Sequence, residues 1–356
     1  MRVLRPRRIE FFEPYPVKIL LVKLSSLGDV VHALPVVQDI RAVVPGAQID
    51  WVVEKSFAPL LAEHAGIHRI IACEIRRWRH SFWTTATWRE WRAFRVQLQH
   101  DAYDAVIDLQ GLAKSALVAR LARLAPGGKR CALANQTEGS GYEAPTRWVA
   151  DVAIRIAPHT AAVQRSRELA ARALGYTLQA APDYGLKTDS SHMDRAQTAP
   201  ENIANQVALV HGTSRADKEW PPGHWLELGQ RLNAAGFQVV LPHGNARELA
   251  TSQAIAQALN ASQPGNAVVW PLLPLDALMQ ALAQCAGVIG VDSGVSHIAV
   301  ALDLPHVQLY NFDTAWRTGP DTGGRQVSVF AQPAPTVQAV WQAWLACLAL
   351  HRQAAA

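Results

Sequence analysis

Val17-Lys18-Ile19-Leu20-Leu21-Val22 runs without a break into Lys23-Leu24-Ser25-Ser26-Leu27-Gly28-Asp29, and then into Val30-Val31-His32-Ala33-Leu34-Pro35. The first six residues have the apolar, β-branched character of a buried strand. The next seven are polar and contain the Ser and Gly of a tight turn, and an apolar helical pattern follows. A strand that turns directly into a helix is the unit of a parallel α/β sheet, and open parallel sheets bind ligands beyond the carboxyl ends of their strands. A lysine, two serines, a glycine and an aspartate at that end point to chemistry.

The same alternation continues outward. Strands are expected at 17–23, 48–54, 69–74, 103–109 and 129–134, with helices at 29–44, 56–65, 86–100, 112–124 and 160–174. Residues 76–85 mix aromatics with positive charge, 135–150 read as a loop, and the pattern lapses over 188–205, a polar stretch containing Pro200. Beyond it, strands are expected at 207–211, 237–241, 267–270, 287–292 and 306–310, with helices at 222–235, 246–259, 275–286 and 293–302. Apolar positions Val337, Val340, Trp341, Trp344, Leu345 and Leu348 have the spacing of an amphipathic helix over about 336–351. The expected architecture is two doubly wound α/β domains in tandem, 1–187 and 188–356, with the last helix able to pack back on the first.

Bulk composition agrees. The 356 residues are 49% hydrophobic and 18% charged, enough apolar material for two cores. No apolar run reaches the roughly 18 residues of a spanning helix. The basic first ten residues lack a following apolar segment, so no secretory signal is expected. Four scattered cysteines without a C-x-x-C pair suggest reduced thiols in a cytosolic protein. The charge is uneven: residues 1–187 carry 26 Lys and Arg against 17 Asp and Glu, whereas 188–356 carry 8 against 12. A basic first half suits an anionic partner, although uneven solvated surfaces would read the same way.

Three further corners follow strands. His211-Gly212-Thr213-Ser214-Arg215-Ala216-Asp217-Lys218-Glu219-Trp220 offers hydroxyl donors and a cation for a phosphate. Val291-Asp292-Ser293-Gly294-Val295-Ser296-His297 opens a helix whose free N–H groups favour an anion, unless Asp292 is simply a cap. Asp108-Leu109-Gln110-Gly111-Leu112-Ala113-Lys114-Ser115 is a third such turn, and Arg76-Arg77-Trp78-Arg79 is either an anion clamp or a solvated charge run. Several motifs are absent or misplaced. There is no P-loop, no D-x-D and no G-x-S-x-G, and the G-x-G-x-x-A letters at 139–144 do not follow a strand directly. His64 and His68 lack the glutamate of a zinc motif.

Taken in order, these segments resemble a known family. Lys23 to Asp29 with Val30 to Pro35 is similar to the opening signature of the lipopolysaccharide heptosyltransferases of glycosyltransferase family nine. Asp50 to Glu54, Ile75 to Arg79, Tyr103 to Leu112, Asp217 to Pro221, Leu241 to Gly244 and Val291 to His297 extend the resemblance over about 17–345. Residues 1–16 are an extension beyond the family's usual start, and 135–150 match poorly. The resemblance implies a GT-B fold, two Rossmann-like domains facing a cleft, with acceptor on the first and nucleotide-sugar on the second. It implies metal-independent, inverting transfer of L-glycero-D-manno-heptose from ADP-heptose to the first Kdo of Kdo2-lipid A, with no cofactor.

Carried onto this chain, it implies Asp29 as general base and Lys218 as the cation on the leaving group. It places Lys23, Ser26, Gly28, Thr213, Ser214, Gly244, Glu248, Asp292, Ser293, Gly294 and His297 on the donor, with Glu248 toward the ribose and Asp292 toward the heptose. Arg76, Arg77, Gln110 and Lys114 fall to the acceptor. The implied setting is cytoplasmic, peripheral on the inner leaflet, with no nucleic acid. The alternatives are a family-nine transferase acting on an already heptosylated acceptor, a nicotinamide-dependent dehydrogenase, or a non-catalytic nucleotide-sugar-binding module.

Overall fold

The computed structural model of the chain describes residues 16–186, 205–320 and 324–355. The N-terminal extension and the polar linker expected over 188–205 lie outside the described residues but for the last residue of each. The chain divides into two compact units, Met1–Gly185 and Leu186–Ala356.

The first unit is built on six parallel strands: β1 (Lys18–Val22), β2 (Gln48–Glu54), β3 (Arg69–Cys73), β4 (Ala102–Asp108), β5 (Arg123–Leu133) and β6 (Val152–Ile154). Their order is β3-β2-β1-β4-β5-β6. The second unit has β7 (Gln206–Val210), β8 (Gln238–Leu241), β9 (Ala267–Val269), β10 (Gly287–Val291), β11 (His306–Tyr310) and β12 (Gln326–Phe330). Its order, β12-β11-β10-β7-β8-β9, is the same pattern read from the other edge. Both are the 3-2-1-4-5-6 order of a Rossmann sheet.

That topology explains the apolar runs. β1 and β10 are central strands covered on both faces, so Ile19 to Val22 and Gly287 to Val291 are all buried. It also decides where ligands belong. The strand order reverses between β1 and β4 in one sheet and between β7 and β10 in the other, and the crevice of an open sheet lies at such switch points. Val22 is in register with Asp108, and Val210 with Gly290. The turns after these four strands are the four polar corners of the sequence.

The differences from the sequence expectation have local causes. The helix expected over 29–44 is two helices, Leu27–Val31 and Pro35–Val43. Pro35 cannot donate a helical hydrogen bond and its ring crowds the preceding turn, so tighter bonds from Ala33 to Val30 and Leu34 to Val31 bridge the gap. β5 begins six residues before the expected start, because Pro126-Gly127-Gly128 disguises a strand whose register slips between Tyr103 and Ala105. Residues 75–80 form a helix, held where Trp78 packs against Trp91 and Phe94 at 5.7 and 5.5 Å between ring centres. A short helix, Pro145–Val149, interrupts the expected loop. The edge strands β6 and β12 had no strong apolar signature of their own. In the terminal helix Val337–Ala355, Val337, Val340, Trp344 and Cys347 belong to the core of the second unit. No helix among the described residues is long and apolar enough to cross a membrane.

Candidate active site

In the first unit, the turn after β1 gathers charge. Lys23 is 1% exposed, an unusual setting for an ammonium. Its Nζ donates to the Leu109 carbonyl at 3.2 Å and lies 3.6 Å from Asp29 Oδ1. Arg165 Nη2 approaches the same oxygen at 3.7 Å, and Asp29 Oδ2 accepts from Ser26 Oγ at 2.9 Å and Ser26 N at 3.2 Å. Burial works against the Asp29 charge. The charges of Lys23, His32 and Arg165, with the Ser26 bond, outweigh it and hold the carboxyl well below the ordinary carboxylate range. Lys23 is pushed down from its ordinary value, first by burial and further by Arg165, while Asp29 opposes. The bond to Ser26 would suit a plain helix cap, since Asp29 stands in the first turn of Leu27–Val31. Two buried or nearly buried cations facing it go beyond what a cap needs. Gly28 lies in the same turn, where its carbonyl accepts from His32 N.

The turn after β4 braces this corner. Gln110 Oε1 accepts from Leu24 N at 2.9 Å and Ser25 N at 3.1 Å, so its oxygen is engaged within the protein. Asp108 Oδ1 accepts from Gln110 N and Gly111 N at 2.9 and 3.2 Å, and Oδ2 from Ser115 Oγ at 2.9 Å. Gly111 allows that wrap with a φ of +80°, where a side chain would be strained. Burial pushes the Asp108 carboxyl up to about 6, against the pull of these bonds and of Lys23. A carboxyl raised in the fold contributes its full stability below its unfolded value near 4, and loses it as pH rises through 6. Asp108→Asn keeps both backbone bonds through its amide oxygen. Its stability relative to wild type is therefore expected to rise between pH 4 and pH 7 by up to roughly 3 kcal/mol. Denaturant midpoints across that range check it, and a flat difference would contradict it.

Lys114 Nζ donates to Ser25 Oγ at 2.8 Å. Its ammonium is pushed down by burial and by nearby Arg76, with Glu54 opposing. No carboxylate pairs directly with Arg76 among the described residues. Arg77, by contrast, is shared between Glu74 at 2.8 Å and Glu90, which also accepts from Trp78 Nε1.

The second unit answers with an ion cluster at the β7 and β10 corners. Lys218 Nζ lies 2.5 Å from Asp292 Oδ2, His297 Nε2 lies 3.2 Å from Oδ1, and Thr318 Oγ1 donates to Oδ1 at 3.3 Å. Asp292 is buried, which by itself would raise its pKa; His297 and then Lys218 overcome that and hold it well below the ordinary range. Thr213 Oγ1 donates to the Asp292 carbonyl at 3.3 Å, and Ser214 is exposed beside it. Ser293 caps the helix Gly294–Ala301, accepting from Ser296 N at 3.4 Å. The first amides of that helix, starting at Gly294, have no carbonyl partner of their own within it, the ordinary situation that favours an anion.

Glu248 stands in a third corner. Its carboxylate accepts from Gly244 N and Asn245 Nδ2, both at 2.7 Å, while Asn245 Oδ1 accepts from Glu248 N at 3.0 Å and caps the helix Ala246–Asn260. A cavity of about 120 Å³ adjoins it, lined by His211, Thr213, Trp220, Trp225 and Asn245. Gly212 makes room: a Cβ there would sit 2.6 Å from Glu248 Cδ.

Each sequence-derived residue thus lies at a strand-end corner of its unit. The sequence reading missed Arg165, Thr318 and Asn311, and named the turn at Asp108 without giving Asp108 a role of its own. Arg165 left a signal, a charge on the apolar face of the helix Ala162–Leu174, between Ala162 and Leu169. Asn311, whose Nδ2 donates to the carbonyls of Asp217 at 3.1 Å and Glu219 at 2.8 Å, left none, because it acts across 92 residues and more of chain.

One Rossmann sheet thus carries an acid held between cations, and the other a lysine, an aspartate and an anion-ready helix start, a set that suits an enzyme handling a phosphorylated ligand. Escherichia coli heptosyltransferase WaaC, solved with ADP, superposes with a TM-score of 0.79 at 33% identity, over 92% of this chain and 98% of that one. The description Glycosyltransferase family 9 (heptosyltransferase) matches residues 91–340. The chain belongs to that family. It is 39% identical to lipopolysaccharide heptosyltransferase 1 of Pseudomonas aeruginosa, over 82% of this chain and 78% of that protein. It is 36% identical to lipopolysaccharide heptosyltransferase 1 of Escherichia coli, over 82% of this chain and 87% of that protein.

Proposed function

We propose that this transferase moves L-glycero-D-manno-heptose from ADP-heptose to the first Kdo of Kdo2-lipid A, an early step of the lipopolysaccharide inner core. What supports the reading most is the similarity to heptosyltransferase 1 at 39% identity over 82% of the chain. The charged corners supply the chemistry that this reaction needs.

In this reading the acceptor hydroxyl attacks the anomeric carbon as the bond to the β-phosphate oxygen breaks, and configuration inverts. The proton passes to Asp29. Its low pKa makes it a weak base for a neutral alcohol, but it stays ionised, and the attacking oxygen becomes strongly acidic as its new bond forms. Transfer of the proton is therefore late. The negative charge that develops on ADP meets Lys218 and the helix start at Ser293 and Gly294, with Thr213 and Ser214 as hydroxyl donors. Asp292 accepts from heptose hydroxyls, with His297 orienting it. Glu248 accepts from the ribose: with two bonds already made beside Gly244, an ionised carboxylate still has acceptor sites left. Lys23, Ser26 and Gly28 shape the turn that carries Asp29. The anions of the acceptor meet Arg76 and Lys114; Arg77 is already neutralised, and Gln110 serves by holding the β1 turn.

The test is purified protein with ADP-heptose and Kdo2-lipid A, followed by ADP release and acceptor mass. Preference for an already heptosylated acceptor would make it the second transferase of the series instead, and binding of ADP-heptose without turnover on any Kdo acceptor would make it a binding module. Because Lys218 and the helix amides carry the leaving-group charge in this reading, turnover is expected to persist undiminished in excess chelator. A loss restored by added divalent cation would contradict that. We place the enzyme at the cytoplasmic face of the inner membrane, in peripheral contact with it.

A further inference from the structure

One exposed face of the first unit is left unexplained by the transfer chemistry. The helix Thr85–Leu98 buries Thr87, Phe94 and Leu98, with Phe94 packing on Trp78. Its opposite arc carries Trp88, Arg89, Arg92, Arg95 and Val96. Trp88 is 60% and Val96 67% exposed, and at the preceding corner Trp83 is 78% and Phe82 45% exposed, their rings in contact and tilted at 35° to each other. The corner is held in place: Thr84 Oγ1 accepts from Thr87 N at 3.2 Å, and Ser81 Oγ and Thr87 Oγ1 are 2.9 Å apart. Large aromatics clustered at such exposure mark an interaction surface.

Charge says what covers it. Arg79, Arg89, Arg92 and Arg95 have no carboxylate within ion-pair distance among the described residues. The two neighbouring glutamates, Glu74 and Glu90, are both taken by Arg77. Unpaired arginines alternating with tryptophan match an anionic lipid surface, where tryptophan settles at headgroup depth and arginine meets phosphate. We propose that this face, from Phe82 to Val96, docks the enzyme on an anionic bilayer. The proposal rests on the functional reading above, and it names the surface that the peripheral contact would use. The corner at Phe82 and Trp83 follows β3 and so lies at the strand-end side of the sheet, the side that carries the Lys23 to Asp29 turn. A bilayer held there would present a lipid-anchored acceptor to the side of the unit that reads it.

The test is co-sedimentation of the full chain with vesicles of phosphatidylcholine containing phosphatidylglycerol, and with phosphatidylcholine alone. Wild type is expected to bind the anionic vesicles, and to release as salt rises. Arg89→Ser with Arg92→Ser should weaken binding about 25-fold, at about fivefold for each arginine. Trp83→Ser with Trp88→Ser should weaken it roughly tenfold. Both variants should keep wild-type turnover on a de-acylated, water-soluble acceptor and lose it on acceptor embedded in vesicles. Equal binding of either variant and wild type, equal binding to uncharged vesicles, or concentration-dependent self-association through this face would overturn the proposal. Absence of turnover by wild type on the soluble acceptor would instead overturn the proposed Kdo acceptor, and leaves vesicle binding to be judged on its own.

Discussion

Asp29→Asn is expected to lower kcat by about two to four orders of magnitude, the usual contribution of a positioned general base, while retention of ADP stays near wild type. The substitution preserves shape: the amide oxygen still accepts from Ser26 Oγ and Ser26 N, so the start of the helix Leu27–Val31 should survive. What is lost is the negative charge facing Lys23 and Arg165. That loss separates two roles. If Asp29 only neutralises buried Lys23, the variant should be less stable and its Lys23 pKa still lower, yet residual enzyme should turn over normally. If Asp29 takes the acceptor proton, kcat falls in protein that is still folded and still binds ADP. Measuring melting temperature, ADP affinity and kcat on one preparation distinguishes them, and an unchanged kcat removes Asp29 as base. The low pKa adds a further expectation. Asp29 does not titrate near neutral pH, so an acid limb in the wild-type rate at about pH 6 would have to come from another group.

The contrast between Asp29 and Arg165 shows what a sequence carries and what it hides. The turn from Lys23 to Asp29 is local: strand, turn and helix start occupy adjacent residues, and their pattern is legible. The Rossmann order follows from the same logic, because each βαβ unit announces itself in a window of about thirty residues. Edge strands β6 and β12 are covered less, need less apolar surface and leave a fainter pattern. The partners of the active corners are non-local. Arg165 reaches Asp29 from a helix 136 positions later, and Thr318 reaches Asp292 from beyond β11. Glu74 and Glu90 likewise decide which arginines stay available, and nothing in the run Arg76-Arg77-Trp78-Arg79 says that Arg77 is the one neutralised.

Lys218→Ala should reduce kcat by about two to three orders of magnitude, the scale seen when one donor is removed from a developing oxyanion. The change in KM should be much smaller, since the phosphate gains charge mainly in the transition state. The complication is Asp292, 2.5 Å from Lys218 Nζ and 6% exposed. Removing the lysine leaves a buried carboxylate with only His297 and Thr318, and unpairing a buried charge costs up to about 3–5 kcal/mol. Asp292 is depressed in the fold, so the stability it contributes is present above its unfolded pKa near 4 and is lost as pH falls through its lower folded value. In the variant that contribution shrinks at neutral pH. A fall in rate could therefore reflect a disturbed Asp292 alone. Asp292→Asn and the double variant resolve this. If Lys218 serves only to hold Asp292, the double variant should be no slower than Asp292→Asn. If Lys218 also meets the leaving phosphate, adding Lys218→Ala to Asp292→Asn should still cost a large further factor in kcat, and Lys218→Arg should recover part of it. A double variant as fast as Asp292→Asn would confine Lys218 to a positioning role and leave the amides at the Gly294 helix start as the principal donors to the leaving phosphate.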